Sequence, residues 1–192
     1  MEYTARDYKH LKGTPGFSDS LLENHFTLYK GYVVNTNKLS AISSDMLHTN
    51  RESTPEFAEL KRRFGFEFNG MRLHELYFGN LGSQIKLYKN SDFAKAIAQQ
   101  FGSWENWEKD FKATGKMRGI GWVVLYQDTE TGQLFNQWIN EHETGHLATC
   151  EPLLVMDVFE HAYIGDYGLK RADYIEAFFS AIDWEAVNRR LK

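Results

Sequence analysis

The chain has 192 residues, 42% of them hydrophobic, 15% aromatic and 25% charged, with a formal net charge of −4 and a sequence pI near 6.0. This mixture excludes disordered and collagen-like chains, and the mildly acidic balance speaks against nucleic acid or an anionic membrane as the main partner. The length suits one compact unit built from two sub-domains. The longest apolar runs, "GWVVLY" and "PLLVMDVF", fall well short of the roughly 18 residues of a membrane span. The opening "MEYTARDYKHLKG" lacks the apolar segment of a secretory signal. One cysteine, Cys150, allows neither an internal disulfide nor a cysteine-rich zinc site, so a cytoplasmic location is expected.

From Ser18 to about Ser44, apolar residues recur at Leu21, Leu22, Phe26, Leu28, Tyr29, Tyr32 and Val33, the spacing of a helix, with Ser18 and Ser20 as candidate N-caps. A second helix is predicted in "TPEFAELKRRFGFEFNGMRLHELYFGNLG", where Pro55 suits the first turn and Gly79 and Gly82 suit the end. The first 85 or so residues therefore read as an antiparallel helical pair. "SDFAKAIAQQFGSWENWEKDFKATGKM" reads as two short helices opened by Ser91 and Ser103. "GIGWVVLYQDTETGQLFNQWINEH" carries a hairpin signal around "DTETGQ", "PLLVMDVF" is a third strand candidate, and "KRADYIEAFFSAIDWEAVNRRLK" returns to helix.

Two motif look-alikes are set aside. "HELYFGN" opens like a zinc-protease helix, but Phe78 stands where the second histidine would be, and "GIGWVV" has two glycines of a dinucleotide fingerprint and leads into a strand rather than out of one. Of the seven histidines, His10 and His48 sit among polar residues and read as solvated. His25 and His74 lie on apolar faces of the first and second helices. One such residue alone would be a core histidine bonded to a carbonyl, whereas two on adjacent helices are where bundles build metal sites. Asp157 and His161 are four apart, which places both side chains on one face of a helix or a strand. Together the four would offer three imidazoles and one carboxylate, suited to iron or manganese with a position left open. On spacing alone, a structural ion pair between Asp157 and His161 remains the competing reading.

"DVFEHAYIGDYGLKRADYIEAFF" resembles the signature region of the iron/manganese superoxide dismutases, D-x-W-E-H-A-Y followed by D-Y and R-x-D-Y-I/L. "GIGWVVL" is similar to that family's G-S-G-W-x-W-L strand, "HELYFGNL" to its N-H-x-x-F-W-N-x-L helix end, and "HFTLYKGYVVNTNKL" to its first helix. The resemblance implies an α+β fold: an N-terminal long antiparallel helical hairpin (1–85) and a C-terminal domain (86–192) of helices around a three-stranded antiparallel sheet. It implies disproportionation of superoxide with one Fe or Mn ion per subunit, held by His25, His74, Asp157 and His161, with a lean towards iron and dual-metal activity open. A homodimer or tetramer follows, with Glu160 and His161 at the interface, Glu160 reaching the partner's ligand histidine. Tyr32 matches the gateway tyrosine. The residue that bonds metal-bound solvent falls at Gly70 or on the hairpin, where His142 is favoured over His146. Trp122 and Tyr77 would wall the site, and Lys30 and Arg171 would supply local positive charge.

The chain departs from the common pattern in several places. Tyr29 replaces the second histidine of the first helix, Phe159 and Phe78 replace tryptophans, and Ile164 stands where many relatives have tyrosine. Tyr32 is one residue nearer His25 than usual, which predicts a first helix without a bulge. These changes keep open a catalytically silent metal-binding homologue, and the donor set alone also allows another mononuclear non-haem iron enzyme.

Overall fold

The computed structural model describes residues 2–82 and 91–192. Helix α1 (Asp19–His48) starts where the Ser18 side chain accepts from the Leu21 amide, and it runs unbroken, a turn past the predicted end and without a bulge. Helix α2 (Pro55–Phe78) opens with Thr54 accepting from the Phe57 amide and with Pro55 in its first turn, where proline's missing N–H costs nothing. The pair is antiparallel, since Tyr29 of α1 bonds Glu75 of α2 while Asn35 further along bonds Glu67. The division predicted at 85/86 lies outside the described residues.

Helices α3 (Asp92–Phe101) and α4 (Trp104–Gly115) are capped by Ser91 and Ser103, as their sequence signals suggest. Strands β1 (Gly121–Asp128), β2 (Leu134–Asn140) and β3 (Cys150–Asp157) follow. They form an antiparallel sheet of order β2-β1-β3. The central strand β1 is buried over its first seven residues, which explains why "GWVVLY" is a continuous apolar run rather than an alternating one. Among the described residues no helix is long and apolar enough to cross a membrane.

The tail differs from the single helical reading. After the one-turn helix α5 (Ile164–Tyr167), helix α6 (Arg171–Ser180) stops and α7 (Trp184–Asn188) begins anew. Asp183 makes the break: its carboxylate accepts from the Glu185 and Ala186 amides as an N-cap, while Ile182 bridges to Leu81.

Asn80 joins the two halves. Fully buried just after α2, it donates to the Val155 carbonyl of β3 at 2.5 Å, and its side-chain oxygen accepts from Arg190 at the C-terminus. Its own carbonyl accepts from the Asp183 amide at 2.7 Å. Replacing Asn80 by Ala takes the side-chain donor from the Val155 carbonyl and one acceptor from Arg190, which keeps the Leu153 and Leu76 carbonyls, so urea unfolding is expected to show a loss of about 2 kcal/mol; a change within about 0.5 kcal/mol would mean these bonds do not tie α2 to β3.

Candidate metal centre

The four residues singled out in the sequence meet at one point. His25 comes from the second turn of α1, His74 from the last turns of α2, Asp157 from the end of β3 and His161 from the 3-10 turn Glu160–Ala162. One ligand-capable atom from each lies within 4.8 Å of all the others. The spacing of four between Asp157 and His161 belongs to neither a helix nor a strand. Asp157 Oδ1 accepts from the Phe159 amide at 2.8 Å, turning the chain at the strand end so that both side chains face inward.

Asp157 Oδ2 is the shared focus, 3.0 Å from His161 Nε2, 3.2 Å from His25 Nε2 and 3.7 Å from His74 Nε2. His25, His74 and Asp157 are buried, and His161 is partly so. At His74, Nδ1 lies 2.5 Å from the Gly70 carbonyl. A carbonyl only accepts, so Nδ1 carries the proton and Nε2 presents a lone pair. That Nε2 is buried and without a hydrogen-bond partner. Burial pushes the His74 and His25 imidazoles towards the neutral form, the more strongly at His74, with Asp157 offsetting part of the shift at both. At Asp157 burial pulls the other way, but His161 and His25 override it and hold the carboxyl well below its usual range.

An orphaned buried lone pair costs about 1 to 3 kcal/mol. Hydrogen bonding inside the cluster cannot relieve it, because the nearest carboxylate oxygen is itself an acceptor. A cation does relieve it, and three imidazoles with one carboxylate suit a borderline transition metal such as iron or manganese. The donor set therefore fits the ion that the resemblance implies, and a purely structural Asp157–His161 pair leaves the His74 lone pair unexplained.

Around the cluster the walls are aromatic. Trp122 lies edge-on to His74 at 4.9 Å, Tyr77 packs 5.1 Å from His25 and Phe78 5.0 Å from His25. Phe159 stacks on both His161 and His142, at 5.2 and 4.8 Å. Tyr32 sits 5.1 Å from the His74 ring, over Gly70. A Cβ at Gly70 would fall 2.6 Å from the Tyr32 ring, so glycine here lets the tyrosine lie flat on α2.

His142 is fully buried, and its two ring nitrogens are bonded. The Trp122 indole N–H donates to Nδ1 at 3.0 Å, which makes Nδ1 the acceptor and Nε2 the protonated nitrogen. Nε2–H then donates to Tyr32 Oη at 2.8 Å. Burial lowers the His142 pKa to about 4 and raises that of the Tyr32 phenol. His146 bonds Tyr126 and the His142 carbonyl instead of Tyr32.

The remaining expected residues sit elsewhere. Arg171 donates to the carbonyls of Met117, Gly119 and Val158, which ties it to the backbone. Lys30 is exposed beside Arg6, Lys12 and Glu23. Tyr29 donates to buried Glu75 at 3.0 Å, and Glu160 is exposed. The sequence reading missed Phe66, whose ring meets His142 edge-on at 4.5 Å, and Arg63, stacked over Phe66 at 4.0 Å and paired with Glu67. The helical step of four from His74 through Gly70 to Phe66 is the signal that could have found it.

Comparison with known proteins agrees with this centre. A protein-family model described as "Iron/manganese superoxide dismutases, C-terminal domain" matches residues 89–190. The chain is 36% identical over 179 residues to a protein named superoxide dismutase (Fe) from Cupriavidus metallidurans, covering 91% of this chain and 88% of that one. It is 34% identical over 192 residues to another of that name from Aquifex pyrophilus, covering 97% and 90%. It is 34% identical over 175 residues to superoxide dismutase (Mn) 2 of Haloferax volcanii, covering 89% and 85%.

Metal that binds only the folded chain must stabilise it. Manganese at 100 times its dissociation constant is expected to raise the unfolding free energy by about 2.7 kcal/mol, and His74→Ala to abolish that gain. A melting curve indifferent to metal would mean that the cluster is not a metal centre.

Proposed function

The chain belongs to the iron/manganese superoxide dismutase family, and from that premise we propose that His25, His74, Asp157 and His161 hold one ion while Tyr32 and His142 manage protons. The reaction is the disproportionation of superoxide: one superoxide gives up an electron and leaves as dioxygen, and a second takes up that electron and two protons and leaves as hydrogen peroxide. Bound iron or manganese supplies the one-electron store that links the two halves. The observation that carries the ligand assignment is the partnerless buried Nε2 of His74, aimed at the same carboxylate oxygen as two other imidazoles.

The chain's own residues supply protons and exclude water. Because His142 Nε2–H donates to Tyr32 Oη, the Tyr32 hydroxyl proton is not committed to His142 and can be donated to reduced substrate. Burial keeps the phenol protonated and His142 neutral, so the pair holds one defined proton arrangement at neutral pH. Trp122 fixes the His142 tautomer from behind. The aromatic walls keep bulk water from the buried carboxylate.

Iron is the preferred ion in this reading. Its support is the hairpin histidine and the iron enzymes named among the relatives, while manganese relatives of similar identity leave activity with either metal as the second reading. The protein acts as a homodimer or tetramer in antioxidant defence in the cytoplasm. Glu160, exposed, His161, partly exposed, and Ile164, 49% exposed, are the accessible residues of this segment and would meet the partner subunit. The two-part division into 1–85 and 86–192 accords with the family match beginning at residue 89.

Elemental analysis and superoxide-removal assays on iron-loaded and manganese-loaded protein test this reading. One metal per chain with activity in the iron form is expected, and Tyr32→Phe should keep the metal while slowing turnover roughly 10-fold or more. Stoichiometric metal with no activity in either form would instead make the chain a silent homologue. Sedimentation at micromolar concentration should give a dimer or tetramer, and a monomer would remove the role given to Glu160.

A further inference from the structure

The loop between β2 and β3 carries His142 on a strained backbone. Glu141, just before it, has φ +50°, and Thr149 has φ +61°, a conformation costing a non-glycine residue about 1 to 2 kcal/mol. Gly145 has φ +110°, and a Cβ there would lie 2.7 Å from the Trp138 carbonyl, so the loop presses against β2. Asn140 and Thr144 close the turn through paired backbone bonds at 2.8 and 3.3 Å. Strain of this kind persists only where surrounding contacts hold it.

One set of those contacts runs from β1. His146 Nε2 lies 2.9 Å from the His142 carbonyl, and because a carbonyl only accepts, Nε2 carries the proton and Nδ1 is a lone pair. The Tyr126 hydroxyl, 2.7 Å from that Nδ1, must then be its donor. Tyr126 is almost completely buried and sits on the same strand as Trp122. Strand β1 thus grips the loop twice: Trp122 takes the His142 ring and Tyr126, through His146, takes the His142 main chain.

We propose that His146, oriented by Tyr126, is a positioning residue for superoxide dismutation that fixes the His142 backbone and so keeps the His142 Nε2 to Tyr32 Oη bond formed. The proposal rests on the role given above to Tyr32 and His142. His146 itself touches neither substrate nor the ligand cluster; it acts through the peptide carbonyl. Proton supply then depends on a hydroxyl on β1, two hydrogen bonds removed from His142.

The test uses the full chain with three substitutions. Tyr126→Phe removes only a hydroxyl, His146→Leu removes both bonds, and His146→Gln keeps an amide N–H for the His142 carbonyl. In the metal-free chain with ring-15N histidine, the His142 Nε2–H is expected to exchange with solvent about 10-fold faster in Tyr126→Phe and His146→Leu, with His146→Gln near wild type. In the metal-loaded enzyme kcat should fall about 10-fold in the same two variants, with metal content and KM unchanged, and return to within about 2-fold in His146→Gln. Wild-type exchange and kcat in Tyr126→Phe and His146→Leu would overturn the proposal, as would equal losses in His146→Leu and His146→Gln. Should His146→Leu fail to fold, Tyr126→Phe decides alone. A wild-type enzyme inactive with both metals would instead sink the functional reading, while the exchange measurement would still report on the positioning contact.

Discussion

A single carboxylate oxygen, Asp157 Oδ2, with three imidazole nitrogens within 3.7 Å, is the constraint around which the molecule is organised. Each nitrogen arrives from a different element, so α1, α2 and the turn after β3 must all be in place before the cluster exists. Hydrogen bonding alone leaves it incomplete, because the Gly70 carbonyl takes the only proton of His74 and turns its other nitrogen into an unsatisfied acceptor. Buried polar groups left in that state weaken a fold. A site built at that cost is explained by the cation it can hold, and binding the cation becomes part of the folding free energy.

In the proposed mechanism, proton handling depends on a second constraint, the orientation of His142. Indole N–H groups only donate and carbonyls only accept, and these two facts set the tautomers of His142 and His146 without reference to pH. The same strand, β1, packs the sheet core and aims Trp122 and Tyr126 at the loop between β2 and β3. Core strand and His142 loop are therefore one mechanical unit, which accounts for a strained Glu141 beside a buried histidine.

Much of this was legible in the chain. Ser18, Ser91 and Ser103 sit ahead of periodic apolar runs because a side-chain oxygen there satisfies a free helix N–H, and that signal is local. His25 and His74 were legible as polar residues on apolar faces, and Asp157 and His161 as charges inside a buried run. What escaped depends on contacts distant in sequence. The break at Ala181–Asp183 follows from Ile182 bridging to Leu81, about 100 residues away. Arg171 donates to the carbonyls of Met117, Gly119 and Val158, a backbone-tying role carried by loops that no sequence pattern links to it. The pairing of Tyr126 with His146 follows from the path of the loop between β2 and β3, and no motif encodes it.

The central claim is that these four side chains converge in order to hold one metal ion. Anomalous diffraction from crystals of iron-loaded protein, collected on both sides of the iron absorption edge, tests it most directly. The account predicts one anomalous peak per chain, enclosed by His25, His74, Asp157 and His161, that vanishes below the edge. A peak elsewhere, or none between these residues in a crystal whose protein retains stoichiometric iron, would contradict it.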